Sequence, residues 1–152
     1  MKKYILHLVL ILSHKYYVSV ECFKMGLFWQ GLTHDLSKFS MIEFLESAKY
    51  FTGTKSPIDG AKKDKGFSKA WLHHKGINRH HWQYWIDFKG KEPVPIDIPE
   101  KYIKEMICDI RGASKAYLKK SYTKDSPLFY LEKNIDNWII TEKVYKRLNE
   151  LI

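Results

Sequence analysis

The sequence has 152 residues, of which 45% are hydrophobic and 15% aromatic, and it carries a formal net charge of +9. This length suits one domain around a single core, and the apolar content excludes a disordered chain. The positive charge favours a basic, solvated surface that attracts anionic partners, although the lysines are spread too evenly to mark a dedicated nucleic-acid stripe.

The N-terminal segment predicts an amphipathic helix over residues 3–25 that ends near Gly26. Its start, Met1-Lys2-Lys3 followed by an apolar run, resembles a signal peptide. The run is too short to span a bilayer, and no small-residue cleavage site follows it. We therefore expect no membrane association. The helix fits either the core or the subunit interface of a homo-oligomer.

The next residues predict a short segment, a second helix and a loop. Residues 27–38 form a short segment, and Ser40 is the predicted N-cap of a helix over residues 41–51, with Glu43 three positions later as in a capping box. Residues 52–66 contain three glycines, one proline and many lysines, which predicts a loop. A helical stretch over residues 67–86 follows, and Gly76 is the candidate position for a break in it.

The C-terminal half predicts helices that begin at prolines. Three prolines make residues 87–99 irregular, and Pro99 suits the first position of a helix to about residue 119. A loop covers residues 120–126, and Pro127 opens a helical region to residue 152, in one helix or two. No strand alternation, phosphate-binding glycine loop or repeat is present. The sequence thus predicts an all-α, compact helical bundle of one domain, residues 1–152.

Cysteine usage indicates the compartment. Cys22 and Cys108 both lie in apolar helical patterns, and their spacing matches neither a zinc ribbon nor a redox motif. Two thiols do not make a disulfide scaffold. We predict that both are reduced and buried in a cytoplasmic protein.

The adjacent pair His34-Asp35 is the first candidate for chemistry. Neighbouring His and Asp side chains reach one metal ion when the backbone turns at a helix end, and their nitrogen and oxygen ligands suit Mn, Fe, Co, Ni or Zn. Lys38 lies three residues after Asp35 and is close enough to point into the same pocket. The pair alone is weak evidence, because it occurs by chance in many proteins.

A dense histidine segment is the second candidate. It places His73, His74, His80 and His81 within nine residues, which is more than a structural role requires. On a continuous helix His74 and His81 would share one face, and His73 and His80 the neighbouring face. The alternative interpretation is a surface patch of histidines stacked on aromatic side chains.

Asp109 and His14 complete the candidate set. Asp109 lies in a largely apolar helical pattern, and a buried carboxylate requires a metal, an arginine or several hydrogen bonds. An ion pair with Arg111 or a lysine is therefore the alternative. His14 lies on the first predicted helix with His7 one heptad earlier, where a single histidine is more often a satisfied core residue.

Taken in chain order, these residues resemble the HD superfamily of metal-dependent phosphohydrolases. Members have an upstream His, a His-Asp pair and a later Asp, which here correspond to His14, His34-Asp35 and Asp109. The two-metal branches add further histidines and a lysine three residues after the pair. Those roles fall to His74, His80, His81 and Lys38. The sequence is also similar to a small bacterial family of uncharacterised proteins that share His-Asp-x-Ser-Lys and Asn-x-His-His-Trp features.

The resemblance implies a fold like that of the HD domain and one or two divalent transition metal ions. It implies hydrolysis of a small phosphorylated or nucleotide substrate by a metal-activated water, with Asp35 and Lys38 as catalytic residues and Arg79 or Arg111 assisting. The Gly-Tyr-Pro sequence of the HD-GYP branch is absent, which argues against cyclic dinucleotides. Two alternatives stay open: a metal-binding or metal-sensing helical protein without turnover, and a basic nucleic-acid-binding module. The implied metal ligands are His14, His34, Asp35, His74, His80, His81 and Asp109.

Overall fold

The computed structural model describes all 152 residues and consists almost entirely of helices. Short 3-10 turns cover Leu36–Phe39, Trp82–Trp85 and Lys119–Ser121, and the two strands β1 (Ile86–Lys89) and β2 (Glu92–Pro95) form a small antiparallel hairpin. The eight α-helices are α1 (Lys2–Lys24), α2 (Phe28–Thr33), α3 (Met41–Tyr50), α4 (Pro57–Lys65), α5 (Lys69–Ile77), α6 (Glu100–Leu118), α7 (Ser126–Ile135) and α8 (Glu142–Leu151).

The main apolar core lies between α6, α7 and α8. Leu131 of α7 and Leu148 of α8 are completely buried against Ile107 of α6. One face of α6 is therefore committed to apolar packing. The buried members of this C-terminal core are Ile98, Ile103, Met106, Ile107, Ile110, Leu131, Ile135, Val144 and Leu148.

The opposite face of α6 packs against α1, and the two long helices approach closely. A Cβ atom at Gly112 would lie 2.4 Å from Val18 Cγ2 and 2.8 Å from the Val18 backbone nitrogen. Only glycine permits this approach without displacing α1. Val18, Cys22 and Cys108 form a small buried cluster at the same contact, where both cysteines are free thiols. The prediction that they are buried is therefore confirmed.

The all-α prediction is confirmed, and several predicted boundaries are accurate. The helices predicted over residues 3–25, 41–51 and 99–119 are observed as α1, α3 and α6 with ends one residue away. Gly26 ends the first of them with a φ of 74°, the left-handed conformation that glycine adopts without strain. The final helical region consists of two helices, α7 and α8.

The prediction of a loop over residues 52–66 is wrong, because α4 occupies most of that stretch. Pro57 is the first helical residue, and Gly66 ends the helix with a φ of 79°. Proline at the start and glycine after the end are ordinary helix boundaries. The many lysines lie on the exposed face, while Ala61 is buried. The prediction gave the high glycine and lysine content more weight than the helix-boundary residues Pro57 and Gly66, and it missed the helix for that reason.

The helical stretch predicted over residues 67–86 is interrupted close to the candidate break at Gly76. α5 ends at Ile77, and Asn78 has an extended conformation, so His74 and His81 do not share a helical face. The hairpin that follows was predicted to be irregular because of its prolines. Pro93 and Pro95 are tolerated there because a two-stranded sheet has only edge strands, which need no complete hydrogen-bond ladder.

The outward face of α1 is apolar. Ile5, Val9, Leu12 and Tyr16 follow one another at helical spacing and are at least half exposed. The homo-oligomer remains a prediction. In such an assembly this exposed apolar face would form the subunit interface. None of the helices combines the length and the hydropathy needed to cross a bilayer.

Candidate metal centre

The backbone reverses direction at Asp35 and turns the His34-Asp35 pair inward. Asp35 has a φ of 54°, a left-handed conformation that Asp and Asn tolerate better than most residues. Lys15 of α1 holds the turn, because its ammonium donates to the carbonyl groups of Leu32 and His34 at 2.7 and 3.1 Å. The side chains of His34 and Asp35 are consequently almost completely buried.

Four side chains from three parts of the chain meet at this turn. His14 Nε2 lies 3.1 Å from Asp35 Oδ2 and 3.2 Å from Asp109 Oδ1. His34 Nε2 lies 3.3 and 3.4 Å from the same two oxygens. Donor atoms bound about 2.1 Å from one ion lie about 3.0 to 3.4 Å apart in octahedral or tetrahedral geometry. The four atoms therefore have the spacing of a metal-ligand set.

A second group forms on the other oxygen of Asp35. His74 Nε2 and His80 Nε2 lie 3.3 and 3.4 Å from Asp35 Oδ1, and a ring nitrogen of His81 lies within 4.8 Å of the other ligand atoms. Asp35 thus faces one group with each oxygen, as a carboxylate that bridges two ions does. We call the seven residues of both groups the histidine–aspartate cluster: His14, His34, Asp35, His74, His80, His81 and Asp109.

Several buried atoms of the cluster lack hydrogen-bond partners. They are the Nε2 atoms of His34, His80 and His81, the Nδ1 atom of His14 and the Oδ1 atom of Asp35. A buried polar atom without a partner costs about 1–3 kcal/mol, and here several such atoms lie in one cluster. Imidazole nitrogens and carboxylate oxygens are the ligands of divalent transition metals, so the residues present fit such an ion.

Two buried glutamates orient the histidine rings. Glu105 Oε1 accepts from Nδ1 of His34 at 3.0 Å and lies 3.3 Å from Nδ1 of His80. Glu43 Oε2 lies 2.7 Å from Nδ1 of His74. Each contact engages Nδ1, which leaves Nε2 of the same ring facing Asp35. Carboxylates behind metal-binding histidines fix the ring tautomer and orientation in this manner.

The segment that contains His34-Asp35 and the histidine segment contact each other directly. The Asn78 side-chain amide donates to Ser37 Oγ at 2.9 Å and to the His74 carbonyl at 2.9 Å. Ser37 belongs to the segment that contains His34-Asp35, and Asn78 ends the helix that contains His74. The hydrogen bonds of Asn78 therefore fix the second histidine group relative to the His-Asp pair.

The charges of the cluster keep its carboxylates ionised. Burial raises the pKa of Asp35, but His34 and Lys38 outweigh burial and hold that pKa well below the usual range. Burial likewise raises the pKa of Asp109, and hydrogen bonds from His14 and His34 bring it well below the usual range. Lys38 Nζ lies 2.6 Å from Asp35 Oδ2, so the lysine does point into the pocket as the spacing predicted.

Other candidate residues lie outside the cluster. His73 Nδ1 lies 2.6 Å from Glu43 Oε1, whereas His74 contacts the other oxygen of that carboxylate. Arg111, the predicted alternative partner of Asp109 and candidate assistant, instead donates to the carbonyl groups of residues 151 and 152. Arg79 donates to the Tyr102 hydroxyl on the surface, so neither arginine lies at the cluster.

Sequence reasoning missed Glu43 and Glu105. Glu43 was assigned to a capping box, but its carboxylate contacts histidines, while only its backbone N–H donates to Ser40. Glu105 lies four residues before Asp109 and therefore on the same face of α6. That spacing of two acids within the mostly apolar segment from Ile103 to Ile110 was the signal that could have identified Glu105.

Comparison with known proteins gives one result. The model of a family of unknown function, DUF5662, matches residues 4–152, which is nearly the whole chain. No curated protein and no solved structure matches the chain.

Proposed function

The chain belongs to the DUF5662 family, whose function is unknown, and we propose that it is a metal-dependent phosphohydrolase acting on a small phosphoester or nucleotide. The observation that carries the proposal is the convergence of unpaired, buried ligand atoms on the two oxygens of Asp35, with Lys38 directly beside them. Buried ligands supply a metal centre, and an adjacent cation supplies a place for an anionic substrate.

The two groups assign the ligands. His14, His34, Asp35 and Asp109 would hold one ion, and Asp35 with three further histidines would hold a second. When bound, a divalent ion supplies Lewis-acid polarisation and an activated water near neutral pH. The three histidines of the second group are His74, His80 and His81.

Lys38 has a separate role in the proposal. Its side chain is 30% exposed and lines the cavity beside the cluster, while its ammonium contacts Asp35. A positive charge fixed there would neutralise a phosphoryl oxygen, and such electrostatic stabilisation is often the largest catalytic term. The net charge of +9 would also raise the local concentration of an anionic substrate.

The hydrolysis balances without another reactant. The water oxygen forms a bond to phosphorus, and the bond between phosphorus and the ester oxygen breaks. The departing alcohol oxygen keeps the electron pair and takes up a proton. For a phosphomonoester the products are an alcohol and inorganic phosphate, so released phosphate is the direct measure of turnover on such a substrate.

The decisive experiment combines metal analysis with a substrate panel. The full chain is loaded with Mn²⁺, Fe²⁺, Co²⁺, Ni²⁺ or Zn²⁺, its metal content is measured, and phosphate release is followed from phosphomonoesters and nucleotides. Asp35→Asn is the test variant, since Asn tolerates the left-handed backbone. We expect its metal content and its turnover to fall at least tenfold.

Asp136→Asn is the matched control, because this aspartate is exposed at the end of α7. It is expected to leave both quantities unchanged. Metal content that survives in Asp35→Asn contradicts the assigned ligands. Bound metal without phosphate release from any substrate supports the metal-sensing alternative, and salt-dependent nucleic-acid binding that survives chelation supports the nucleic-acid module.

A further inference from the structure

A cavity of about 180 Å³ lies next to the histidine–aspartate cluster. One end is polar and consists of Lys38 together with the cluster members His14, His74, His81 and Asp109. The cavity and the cluster are therefore one continuous site. A molecule with its phosphate at the polar end would place its remaining atoms in the rest of the cavity.

The rest of the cavity is largely apolar. An engineered apolar cavity of about 150 Å³ accommodates benzene, whereas drug-sized ligands occupy about 300–1,000 Å³. The volume beside the cluster therefore suits one ring-sized group and is too small to enclose a whole nucleotide. The apolar wall comes from four helices and includes Leu10, Ile11, Ile58, Trp71, Ala113 and Tyr117, while Ser47 and Ser56 add two hydroxyl-bearing side chains to the lining.

The charges of the wall restrict the substrate further. Lys38 is the only lysine or arginine that lines the cavity. The cavity is also lined by two carboxylates, Glu43 and Asp109, and each of them is paired with a histidine. A second phosphate would have to lie against apolar side chains, and burying an unpaired charge is strongly unfavourable. The cavity therefore favours one phosphoryl group over a diphosphate or triphosphate.

His7 supplies one polar group within this wall. Its ring packs between Phe44 and Phe51, with centroids 5.5 and 5.2 Å away. The side chain is buried, and neither Nδ1 nor Nε2 has a hydrogen-bond partner. Burial, and then the charge of Lys38, lowers the pKa of His7 to about 4. At neutral pH the ring therefore offers one donor and one acceptor, both unused.

Resting on the proposed phosphohydrolase function, we infer that this cavity binds the alcohol part of a phosphomonoester, and that this part is uncharged, about one ring in size, and carries a hydroxyl or similar group that pairs with His7. The reaction is then the hydrolysis of such an ester to the free alcohol and inorganic phosphate, with water as the other reactant. His7 is a specificity-determining residue that contacts substrate away from the phosphorus.

Non-hydrolysable phosphonates test the inference independently of turnover. Calorimetry on the full chain, with Mn²⁺ and separately in EDTA, measures Kd for methylphosphonate, phenylphosphonate, the three hydroxyphenylphosphonates and ATP. We expect phenylphosphonate to bind at least about tenfold more tightly than methylphosphonate, because the ring is buried. One hydroxyl isomer should bind about 3- to 10-fold more tightly still. ATP should bind more weakly than phenylphosphonate.

Two variants assign the hydroxyl preference to His7. His7→Phe keeps a ring between Phe44 and Phe51 and removes two unpaired nitrogens, so we expect it to fold. It should abolish the preference for the hydroxyl isomer, so that the Kd values of that isomer and of phenylphosphonate measured on the variant become about equal. His7→Gln restores a donor and an acceptor and should restore part of the preference, which a purely structural role for His7 would not produce.

The outcomes separate this inference from the proposed function. Equal affinity for methylphosphonate and phenylphosphonate, or a hydroxyl preference unaffected by His7→Phe, overturns the inference even if phosphate is released from other substrates. The expected order of phosphonate affinities, combined with no hydrolysis of the corresponding phosphate esters, supports the cavity assignment and overturns the proposed phosphohydrolase.

Discussion

The two buried regions, or interiors, of this small protein differ in polarity: one is apolar and the other is rich in ionisable groups. Between α6, α7 and α8 the buried side chains are aliphatic, and their removal from water stabilises the fold. Between α1, α3, α5 and the other face of α6, histidines and carboxylates are buried beside a few small apolar side chains, and several of these polar groups lack hydrogen-bond partners. The first interior contributes stability, whereas the second costs stability until a ligand pairs its atoms. A protein of this size tolerates such a cost where function requires it.

The largest expected effect comes from the apolar interior. Leu131 is completely buried in the C-terminal core, and Leu131→Ala removes apolar contacts and leaves a cavity. We expect the free energy of unfolding to fall by about 2–5 kcal/mol, as measured by urea denaturation in EDTA. Metal content per folded molecule should be unchanged. If metal content per folded molecule falls together with stability, metal binding is not independent of the C-terminal core, and the comparison of the two interiors fails.

A smaller effect is expected from the glutamate behind the cluster. Glu105→Gln removes the charge that orients His34 and His80, and loss of such a partner typically costs about 10- to 100-fold in metal affinity. Competition with a chelator measures this change. Glu132→Gln, an exposed acid on α7, is the matched control and should leave affinity unaltered. Affinity that stays the same in Glu105→Gln would contradict the positioning role.

The smallest effect on stability is expected from Glu46, a carboxylate that lies outside the histidine–aspartate cluster. Glu46 joins α3 to its neighbours by accepting from Lys65, from Ser68 Oγ at 2.7 Å and from the Ala70 N–H at 2.7 Å. Burial raises the pKa of Glu46, but these three donors lower it to about 2. The ionised form is therefore favoured by folding. Its contribution is complete above pH 4.5 and disappears as pH falls towards 2.

We accordingly expect Glu46→Gln to lower the free energy of unfolding by about 1 kcal/mol at pH 7, with the difference vanishing near pH 2–3. Urea denaturation between pH 3 and pH 7 measures this. Glu142→Gln, which removes an exposed pair with Lys146, should change stability by less than about 0.5 kcal/mol throughout. A pH-independent loss in Glu46→Gln would show that shape rather than charge is responsible.

The sequence predicted the helices well where hydrophobic periodicity and boundary residues agree. α1, α3 and α6 each have an apolar stripe and a clear end, so local information was sufficient. α4 was missed because its exposed lysines and glycines resemble a loop, although Pro57 and Gly66 mark both ends. The hairpin was missed because Pro93 is unfavourable in most strands and acceptable only at an edge.

The candidate site was predictable as a list of residues but not as an arrangement. His80 and His81 are adjacent, and on a continuous helix they would point about 100° apart. In the structure the chain leaves α5 at Asn78 and turns, so both rings reach the cluster. Periodicity cannot predict such a turn. Glu43 and Glu105 were missed because their role depends on contacts between residues far apart in the sequence.

The glycine contact between α1 and α6 has a consequence for the kind of ion that the proposed metal centre would bind. Gly112 brings α6 against the backbone of Val18, and one turn away on each helix His14 and Asp109 face each other at 3.2 Å. Calcium requires bonds of about 2.3–2.6 Å and six to eight oxygens, whereas zinc and its neighbours bind nitrogen at about 2.0–2.1 Å. An ion bound at the proposed centre would meet mostly imidazole nitrogens between these helices, and such a donor set favours zinc and its neighbours over calcium.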